Sequence, residues 1–249
     1  MSLIPEKSQP ILHGQNIRPP RGSWFNGQAY WMNLYPELGK SDRSVLVVKM
    51  ILQFQFVDGD GGSWTSTEKD KFAHGYVDSI VAAWGERFRI TTTSTVPVKH
   101  ARDVGVVFNF PYYIDGIHTD DDFELEVKKI PAGGFNVSTC GYSMGNTYLD
   151  SEDVVAVDKG ASMKQRGTVH EFGHMLGLRD EYTGAKVDPN PHHTGDLDSI
   201  MNSGEVVRQR HYAPFAGWLT DKFSVAARLA GSPIEYKVEG STDMNNALL

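Results

Sequence analysis

The sequence has one cysteine, no concentrated positive charge and no long apolar segment, and each absence narrows the class of protein. Cys140 is the only cysteine among 249 residues, so packing or a metal, and no internal disulfide, must hold the fold together. The formal net charge is −7 and Lys and Arg form no run, so neither a nucleic acid nor an anionic membrane surface is the expected partner. No segment approaches the ~18 consecutive apolar residues of a transmembrane helix, and we expect no membrane span.

The first 43 residues are predicted to form an irregular arm. They show neither a helical nor a strand period, and their prolines are Pro5, Pro10, Pro19, Pro20 and Pro36. The aromatic residues expected to pack the arm onto the rest of the chain are Trp24, Phe25, Tyr30, Trp31 and Tyr35. No linker or internal repeat divides residues 44–249, which we predict to be one domain.

Strand and helix patterns follow one another after the arm. The runs SVLVVKMILQFQFV (44–57) and VGVVFNF (104–110) predict buried strands, and FELEVKK (123–129) predicts a strand with one wet face. Between the first two runs, Thr65 and Glu68 form a capping box before the apolar stripe of a long helix. Further short strands are predicted in NVSTCGYSM and DVVAVD.

The stretch HEFGH is the most distinctive feature, and we place it on a second helix predicted to begin near Ser162 with a capping box. His170 and His174 lie one turn apart on one face, with Cβ atoms roughly 5 to 6 Å apart, so both imidazoles can bind one cation. Glu171 lies about 100° round the helix, close enough to hold a metal-bound water without ligating the metal. Because this pattern arises by chance in about one chain in a hundred, the following residues decide its meaning.

A third ligand is expected just beyond this helix. Gly177 suits a residue that ends a helix at positive φ, and the turn after it brings Asp180 toward the histidines. A catalytic zinc site has three protein ligands and one open position, a number that Asp180 completes. A loop further on offers His192 or His193 as an alternative third ligand.

That loop also raises the possibility of a second metal site. The candidate ligands are His192, His193, Asp196 and Asp198. A polar loop is the simpler interpretation of this segment.

The pattern H-E-x-x-H-x-x-G-x-x-D resembles the metzincin zinc-peptidase signature, with aspartate in place of the usual third histidine, as in snapalysin-like peptidases. The likeness in specific motifs covers Thr168 to Met201. It implies an α+β fold: a twisted mixed β-sheet with two long helices, one carrying HExxH, and a small C-terminal part with a methionine turn and a final helix. In this scheme residues 44–177 form an upper subdomain and residues 178–249 a lower one.

The resemblance also implies roles for several segments. Met201 in DSIMNSG is the candidate for the methionine turn, and APFAGWLTDKFSVAARL (213–229) for the final helix. CGYSM (140–144) would be the edge strand that lines the substrate cleft. Candidate donors to a developing oxyanion are Tyr182, His211 and Tyr212.

The expected activity is that of a Zn²⁺-dependent metalloendopeptidase that cleaves extended peptides, with Glu171 as general base. One alternative is a zinc hydrolase of another amide, such as a cell-wall cross-link, and the other is a non-catalytic module stabilised by zinc. The start of the chain lacks the basic and apolar regions of a signal peptide, so we expect action outside the cell or in a target cell after non-classical delivery. The sequence does not indicate an oligomeric state.

Overall fold

The computed structural model describes residues 9–15, 30–94, 101–140, 146–160, 162–184 and 192–240. The helices are α1 Ser66–Trp84, α2 Gly167–Met175 and α3 Ala213–Leu229, and a 3₁₀ turn spans Gln209–Tyr212. The strands are β1 Leu12–Gln15, β2 Trp31–Pro36, β3 Arg43–Lys49, β4 Leu52–Val57, β5 Arg89–Thr91, β6 Asp103–Asn109, β7 Tyr112–Ile114, β8 Phe123–Lys128, β9 Thr139–Cys140, β10 Asn146–Asp150, β11 Val157–Gly160, β12 Met163–Gln165 and β13 Lys237–Glu239.

The described strands form two mixed sheets and a small hairpin of β11 with β12, so the architecture combines sheets and helices as an α+β fold does. The first sheet has the order β1-β2-β3-β6-β5-β13, and the second has the order β7-β4-β8-β10-β9. In the second sheet β4, β8 and β10 run parallel, while β9 pairs antiparallel with β10 at the edge. The expected single mixed sheet is therefore replaced by two.

The long apolar run 44–57 crosses from one sheet to the other, which is why it forms two strands. Met50 lies between β3 and β4, is fully buried, and donates its backbone N–H to Asn109 at 3.1 Å. The segment that runs parallel to it is interrupted at the same position: β6 pairs with β3, β7 pairs with β4, and between β6 and β7 Pro111 has no N–H to donate. The strand predicted at 104–110 is confirmed as β6, and the one at 123–129 is confirmed as β8 with its alternating burial.

The prediction of an irregular arm is wrong for two of its segments. β1 pairs with β2, and β2 pairs in turn with β3, so these residues extend the first sheet. The alternation in β2 buries Met32 and Leu34 while Trp31 and Asn33 remain half-buried, a strand period obscured by the surrounding prolines and glycines. Trp24 and Phe25 lie outside the described residues. β13 joins the same sheet from the far end of the chain.

The first and last helices begin where the sequence predicts. Thr65 caps α1 by accepting from the Glu68 N–H at 3.3 Å, and Glu68 accepts from the Thr65 N–H at 2.8 Å, which confirms the capping box. Pro214 lies in the first turn of α3. The predicted stripe of that helix is buried, namely Phe215, Trp218, Leu219 and Phe223.

The predicted start of the second helix is wrong, and so is the expectation that this helix is long. Ser162 has a φ of 64°, and the residues after it form β12, so α2 begins only at Gly167 and has nine residues. Gln165 does not cap the helix: its buried side chain reaches the carbonyls of Ile200, Asn202 and Gly204. Of the predicted strand DVVAVD (153–158), only Val157 and Asp158 lie in β11, and its first four residues form a turn and a loop.

Two further strands differ from expectation. β10 has no counterpart in the prediction, although its Thr147 and Leu149 are buried in the alternating manner of a strand. Of the predicted edge strand 140–144, only Cys140 lies within the described residues, and it belongs to β9. No helix of the described segments is long and apolar enough to cross a membrane.

The shortness of α2 is compensated by complete burial in the aromatic core. All nine of its residues are buried, and the Trp84 indole of α1 donates to the Val169 carbonyl at 3.0 Å. The Phe172 ring lies 5.3 Å from that of Phe108 and 5.5 Å from that of Phe110, centroid to centroid. Because isolated helices of this length are marginal in water, this packing must supply most of the stability of α2.

The pairing of β2 with β3 predicts that the N-terminal segment stabilises the fold. Leu34→Ala, at a fully buried position of β2, should lower the free energy of unfolding by about 2–5 kcal/mol because it leaves a cavity. Leu38→Ala is the matched control, because Leu38 is 55% exposed and its loss should change stability by no more than about 0.5 kcal/mol. Urea unfolding of both variants makes the comparison. Equal, small effects would show that β2 is not part of the core.

Candidate metal centre

One face of α2 presents two histidines to a common point. His170 and His174 are both buried, and their ring centroids lie 4.9 Å apart with planes nearly perpendicular. Their Nδ1 atoms face backbone carbonyls: Ile200 O at 2.8 Å from His170 and Leu178 O at 2.9 Å from His174. Since a carbonyl oxygen only accepts, each Nδ1 carries the proton and each Nε2 presents a lone pair to the centre.

The chain turns back at the end of α2 through a Schellman motif. Gly177 has a φ of +90° and donates its N–H to His174 O at 2.8 Å, while the Leu178 N–H donates to Gly173 O at 3.0 Å. This turn brings Asp180 back to the histidines, as predicted from the spacing. Its Oδ1 lies 3.2 Å from the Nε2 atoms of both rings.

His170, His174 and Asp180 together form a buried cluster that can bind a metal ion. Their ligand atoms all lie within 4.8 Å of one another. Asp180 Oδ1 is buried, and among the described residues it has no hydrogen-bond partner while both Nε2 atoms, 3.2 Å away, are unprotonated. Three electron-pair donors facing one another away from water repel unless a proton or a metal ion lies between them.

The local pKa directions agree with a site that favours positive charge. Burial raises the pKa of the Asp180 carboxyl, but the adjacent His170 and His174 outweigh it and hold this pKa below its usual range. Burial lowers the pKa of His174, whereas the carboxylates of Asp180 and Glu171 raise it, with a net rise. Two buried carboxylates therefore make a negative environment for a cation.

Glu171 borders the cluster without belonging to it. It is buried, and its Oε2 has no hydrogen-bond partner in the part of the chain described. A carboxylate oxygen in this condition is an acceptor for a water molecule or a proton from outside the protein. The role of Glu171 as a general base stays a prediction.

Met201, the candidate for the methionine turn, packs against α2 at Gly173, the residue before His174. It is fully buried, and its side chain packs so closely on α2 that a Cβ at Gly173 would overlap Sδ and lie 3.0 Å from Cε. The preceding Ile200 supplies the carbonyl that orients His170. The glycine of HEFGH is therefore required by packing, because only a residue without a side chain lets Met201 approach.

A buried ion-pair network, which sequence analysis did not identify, supports the metal cluster. Glu181, next to Asp180, accepts from the Arg210 guanidinium at 2.7 Å on both carboxylate oxygens. Burial raises the pKa of Glu181, but Arg210, His211 and Ser199 outweigh it and keep this pKa below its usual range. The sequence contains one weak signal, a charged residue directly after a ligand, but nothing in it pairs position 181 with position 210.

The three candidate oxyanion donors occupy different surroundings. Tyr182 is 37% exposed, hydrogen-bonds Asp180, and its ring centroid lies 6.4 Å from that of His170. Tyr212 is fully buried, and its hydroxyl donates to the Trp84 carbonyl, so it cannot turn toward the metal cluster. His211 is engaged through Nδ1, which accepts from the Arg208 N–H at 3.0 Å, and through Nε2, 3.4 Å from Glu181. Only Tyr182 remains a candidate.

Burial raises the pKa of Tyr182 to about 12, and the neighbouring carboxylates of Asp180 and Glu171 act in the same direction. Its hydroxyl therefore keeps its proton at neutral pH and remains a hydrogen-bond donor. Burial likewise raises the pKa of Cys140 to about 12, so its thiol is not a nucleophile.

The alternative ligands in the loop 192–198 do not join the cluster. Within the described residues, His192 and His193 form no group of three potential ligands with any other residue. Asp196 instead pairs with two guanidinium groups, at 2.7 Å from Arg208 and 2.6 Å from Arg210. The second metal site considered from the sequence is therefore not formed by these residues.

Comparison with known proteins does not assign the chain to a family. No protein-family model matches it, and no curated protein matches it significantly. Function is therefore inferred from the geometry of the site.

The Gly173–Met201 contact predicts a large difference between two glycine substitutions on helices. Gly173→Ala should destabilise the protein by about 1–3 kcal/mol because the added methyl group overlaps Met201. Gly217→Ala in α3 is the matched control: a Cβ there meets no atom within 4 Å, so it should stabilise by about 0.5–1 kcal/mol. Thermal unfolding of the metal-free variants tests this, and a neutral Gly173→Ala would contradict the packing.

The cluster predicts that Asp180 contributes more to metal binding than either loop histidine. Asp180→Ala should weaken metal binding by at least about 10-fold, because it removes one of three ligands. His192→Ala and His193→Ala should bind metal as the unaltered protein does. The metal dissociation constants come from competition with a chromophoric chelator. Loss of binding in a histidine variant, with binding intact in Asp180→Ala, would reverse the ligand assignment.

Proposed function

We propose that the protein is a zinc metalloendopeptidase. The observation that carries this proposal is a buried cluster of two imidazole nitrogens and one carboxylate oxygen, together with a Glu171 carboxylate oxygen that has no hydrogen-bond partner among the described residues. Glu171 and the two histidines come from one turn of α2, and Asp180 comes from the loop after it. This combination provides a metal and a base within reach of the same substrate atom.

The donor set supports zinc as the metal. Two neutral imidazoles and a carboxylate are a ligand set typical of catalytic Zn²⁺, which keeps a further position for water or substrate. Among the described residues the cluster has three members and no fourth, which favours an open catalytic site over the closed site of a structural module. Held there, Zn²⁺ supplies Lewis acidity, polarising the scissile carbonyl and making water a stronger acid.

Glu171 is the proposed general base and acid. Its Oε2 accepts a proton from the attacking water, and the same carboxyl then delivers this proton to the nitrogen of the leaving amine. Burial of Glu171 excludes bulk water, so the accepted proton is not lost to solvent before it reaches the amine. The half-exposed Tyr182 hydroxyl, protonated at neutral pH, is the proposed donor to the developing oxyanion.

An extended peptide is the proposed substrate because the second sheet ends in an edge strand. Among the described strands β9 pairs with β10 alone, and it lies against α2 in the fold. A peptide in extended conformation can add to such an edge through backbone hydrogen bonds, which places its amide bonds near the metal cluster. An amide in a compact cell-wall cross-link would gain nothing from this edge.

Glu171→Gln separates catalysis from folding and metal binding. The amide keeps the shape of the side chain but cannot accept the water's proton, so peptide cleavage should fall by about 10²–10⁴. Zinc content and unfolding temperature should change little, because all three ligands remain. A quenched peptide library, assayed with zinc-loaded protein, measures the rate.

Glu124→Gln, on β8 and outside the metal cluster, is the control and should retain full activity. A Glu171→Gln protein with both its zinc and full peptidase activity would rule out the proposed base. If the unaltered protein binds zinc but cleaves no peptide in the library, the non-catalytic alternative is favoured instead.

A further inference from the structure

We propose that Glu181 is a positioning residue for the metal ligands: its buried carboxylate fastens the loop that carries Asp180 to the segment that orients His170. This inference rests on the part of the proposed function that concerns metal binding, and it does not depend on peptide cleavage. We call residues 199–202, which include Met201, the methionine segment.

The side chain of Glu181 is held on three sides. Arg210 donates from Nε to Oε1 and from Nη2 to Oε2, both at 2.7 Å, and the Ser199 hydroxyl donates to Oε2 at 2.6 Å. His211 Nε2 lies 3.4 Å from Oε1. A bidentate guanidinium and a hydroxyl together leave the carboxylate a single orientation.

The backbone of Glu181 is attached to the same methionine segment. Its N–H donates to Met201 O at 2.8 Å, and its carbonyl accepts from Asn202 Nδ2 at 2.6 Å. Between Ser199, which donates to the Glu181 carboxylate, and Met201, the carbonyl of Ile200 accepts from His170 Nδ1 at 2.8 Å. One residue thus links the chain on both sides of the carbonyl that orients a metal ligand, and it is covalently bonded to another ligand.

The need for such a link follows from the electrostatics of the cluster. Asp180 Oδ1 lies 3.2 Å from the Nε2 atoms of both histidines, an arrangement that repels when neither a proton nor a metal ion lies between them. Asp180 also lies in a loop beyond the end of α2, where the helix no longer restrains it. Glu181 therefore maintains the separation of the three ligands before the metal arrives, which reduces the cost of ordering them on binding.

The network that holds Glu181 contains more than one carboxylate for each arginine. Arg210 also pairs with Asp196 at 2.6 Å, Asp196 pairs with Arg208 at 2.7 Å, and Asp198 lies 3.8 Å from Arg208. Removing the charge of Glu181 leaves Arg210 paired with Asp196, which limits the damage to the fold. Glu181→Gln can therefore test the positions of the metal ligands without unfolding the protein.

The test compares Glu181→Gln with Glu205→Gln, a second glutamate that accepts from an arginine in a bidentate manner. Glu205 pairs with Arg166 at 2.8 Å through both oxygens, and within the described residues its carboxylate forms no hydrogen bond with the methionine segment 199–202 or with a ligand. Zn²⁺ affinity is measured by chelator competition, and the unfolding temperature of each metal-free protein is measured separately. Glu181→Gln should bind Zn²⁺ about 10–100-fold more weakly, while Glu205→Gln binds it normally.

A spectroscopic signature separates ligand position from stability. With Co²⁺ in place of Zn²⁺, the visible absorption bands of Glu181→Gln should shift, because Asp180 no longer meets the metal in the same geometry. The bands of Glu205→Gln should coincide with those of the unaltered protein. Equal Zn²⁺ affinity and identical Co²⁺ spectra in Glu181→Gln would overturn the proposal, whatever its unfolding temperature.

A milder substitution decides the matter if metal-free Glu181→Gln does not fold. Ser199→Ala removes one hydrogen bond to the Glu181 carboxylate and the hydroxyl that accepts from the Met201 N–H at 3.2 Å, and it keeps the Arg210 pair, so it should fold and bind Zn²⁺ several-fold more weakly. Unchanged affinity in Ser199→Ala would then overturn the proposal. If the unaltered protein binds Zn²⁺ but cleaves no peptide, the peptidase assignment fails while the role of Glu181 is still tested by affinity alone.

Discussion

One electrostatic constraint governs the site: three buried electron-pair donors converge on one point, and a cation between them would relieve their mutual repulsion. Asp180 Oδ1 lies 3.2 Å from the Nε2 atom of His170 and 3.2 Å from that of His174, away from water. A protein that had no cation to bind would be more stable if these atoms were further apart or if Asp180 Oδ1 accepted a hydrogen bond. The packing of α2 and the hydrogen bonds of the loop after it instead keep the three atoms together.

Two kinds of restraint produce this convergence. The aromatic core and the Trp84 indole hold the nine-residue α2, and Met201 packs against the same helix at Gly173. Hydrogen bonds then orient the ligands individually, through the carbonyls of Ile200 and Leu178. Packing positions the helix, and hydrogen bonds position the histidine rings. A substitution that disturbs the packing or these hydrogen bonds should therefore weaken metal binding.

The cluster could be predicted from the sequence because its spacing is local, whereas its supports could not. His170, His174 and Asp180 lie within eleven consecutive positions, and helix geometry with one glycine turn determines how they meet. Glu181 and Arg210 are far apart in sequence, and nothing in either segment identifies the other as its partner.

The same distinction explains the errors in the fold. The capping box of α1 is a local signal and was predicted correctly. Strand β2 was missed because its pairing with the distant β3, more than its composition, makes it a strand, and the start of α2 was misplaced because a hairpin competes with the helix for the residues after Ser162.

The most direct test of the metal centre is X-ray absorption at the zinc edge on protein loaded with Zn²⁺ and freed of excess metal. We predict one zinc per chain, with a first shell of nitrogen and oxygen only, scattering from two imidazole rings, and a position occupied by water. Glu171 should not appear as a ligand. A protein that retains no zinc, or a first shell filled by four protein side chains, would contradict the account.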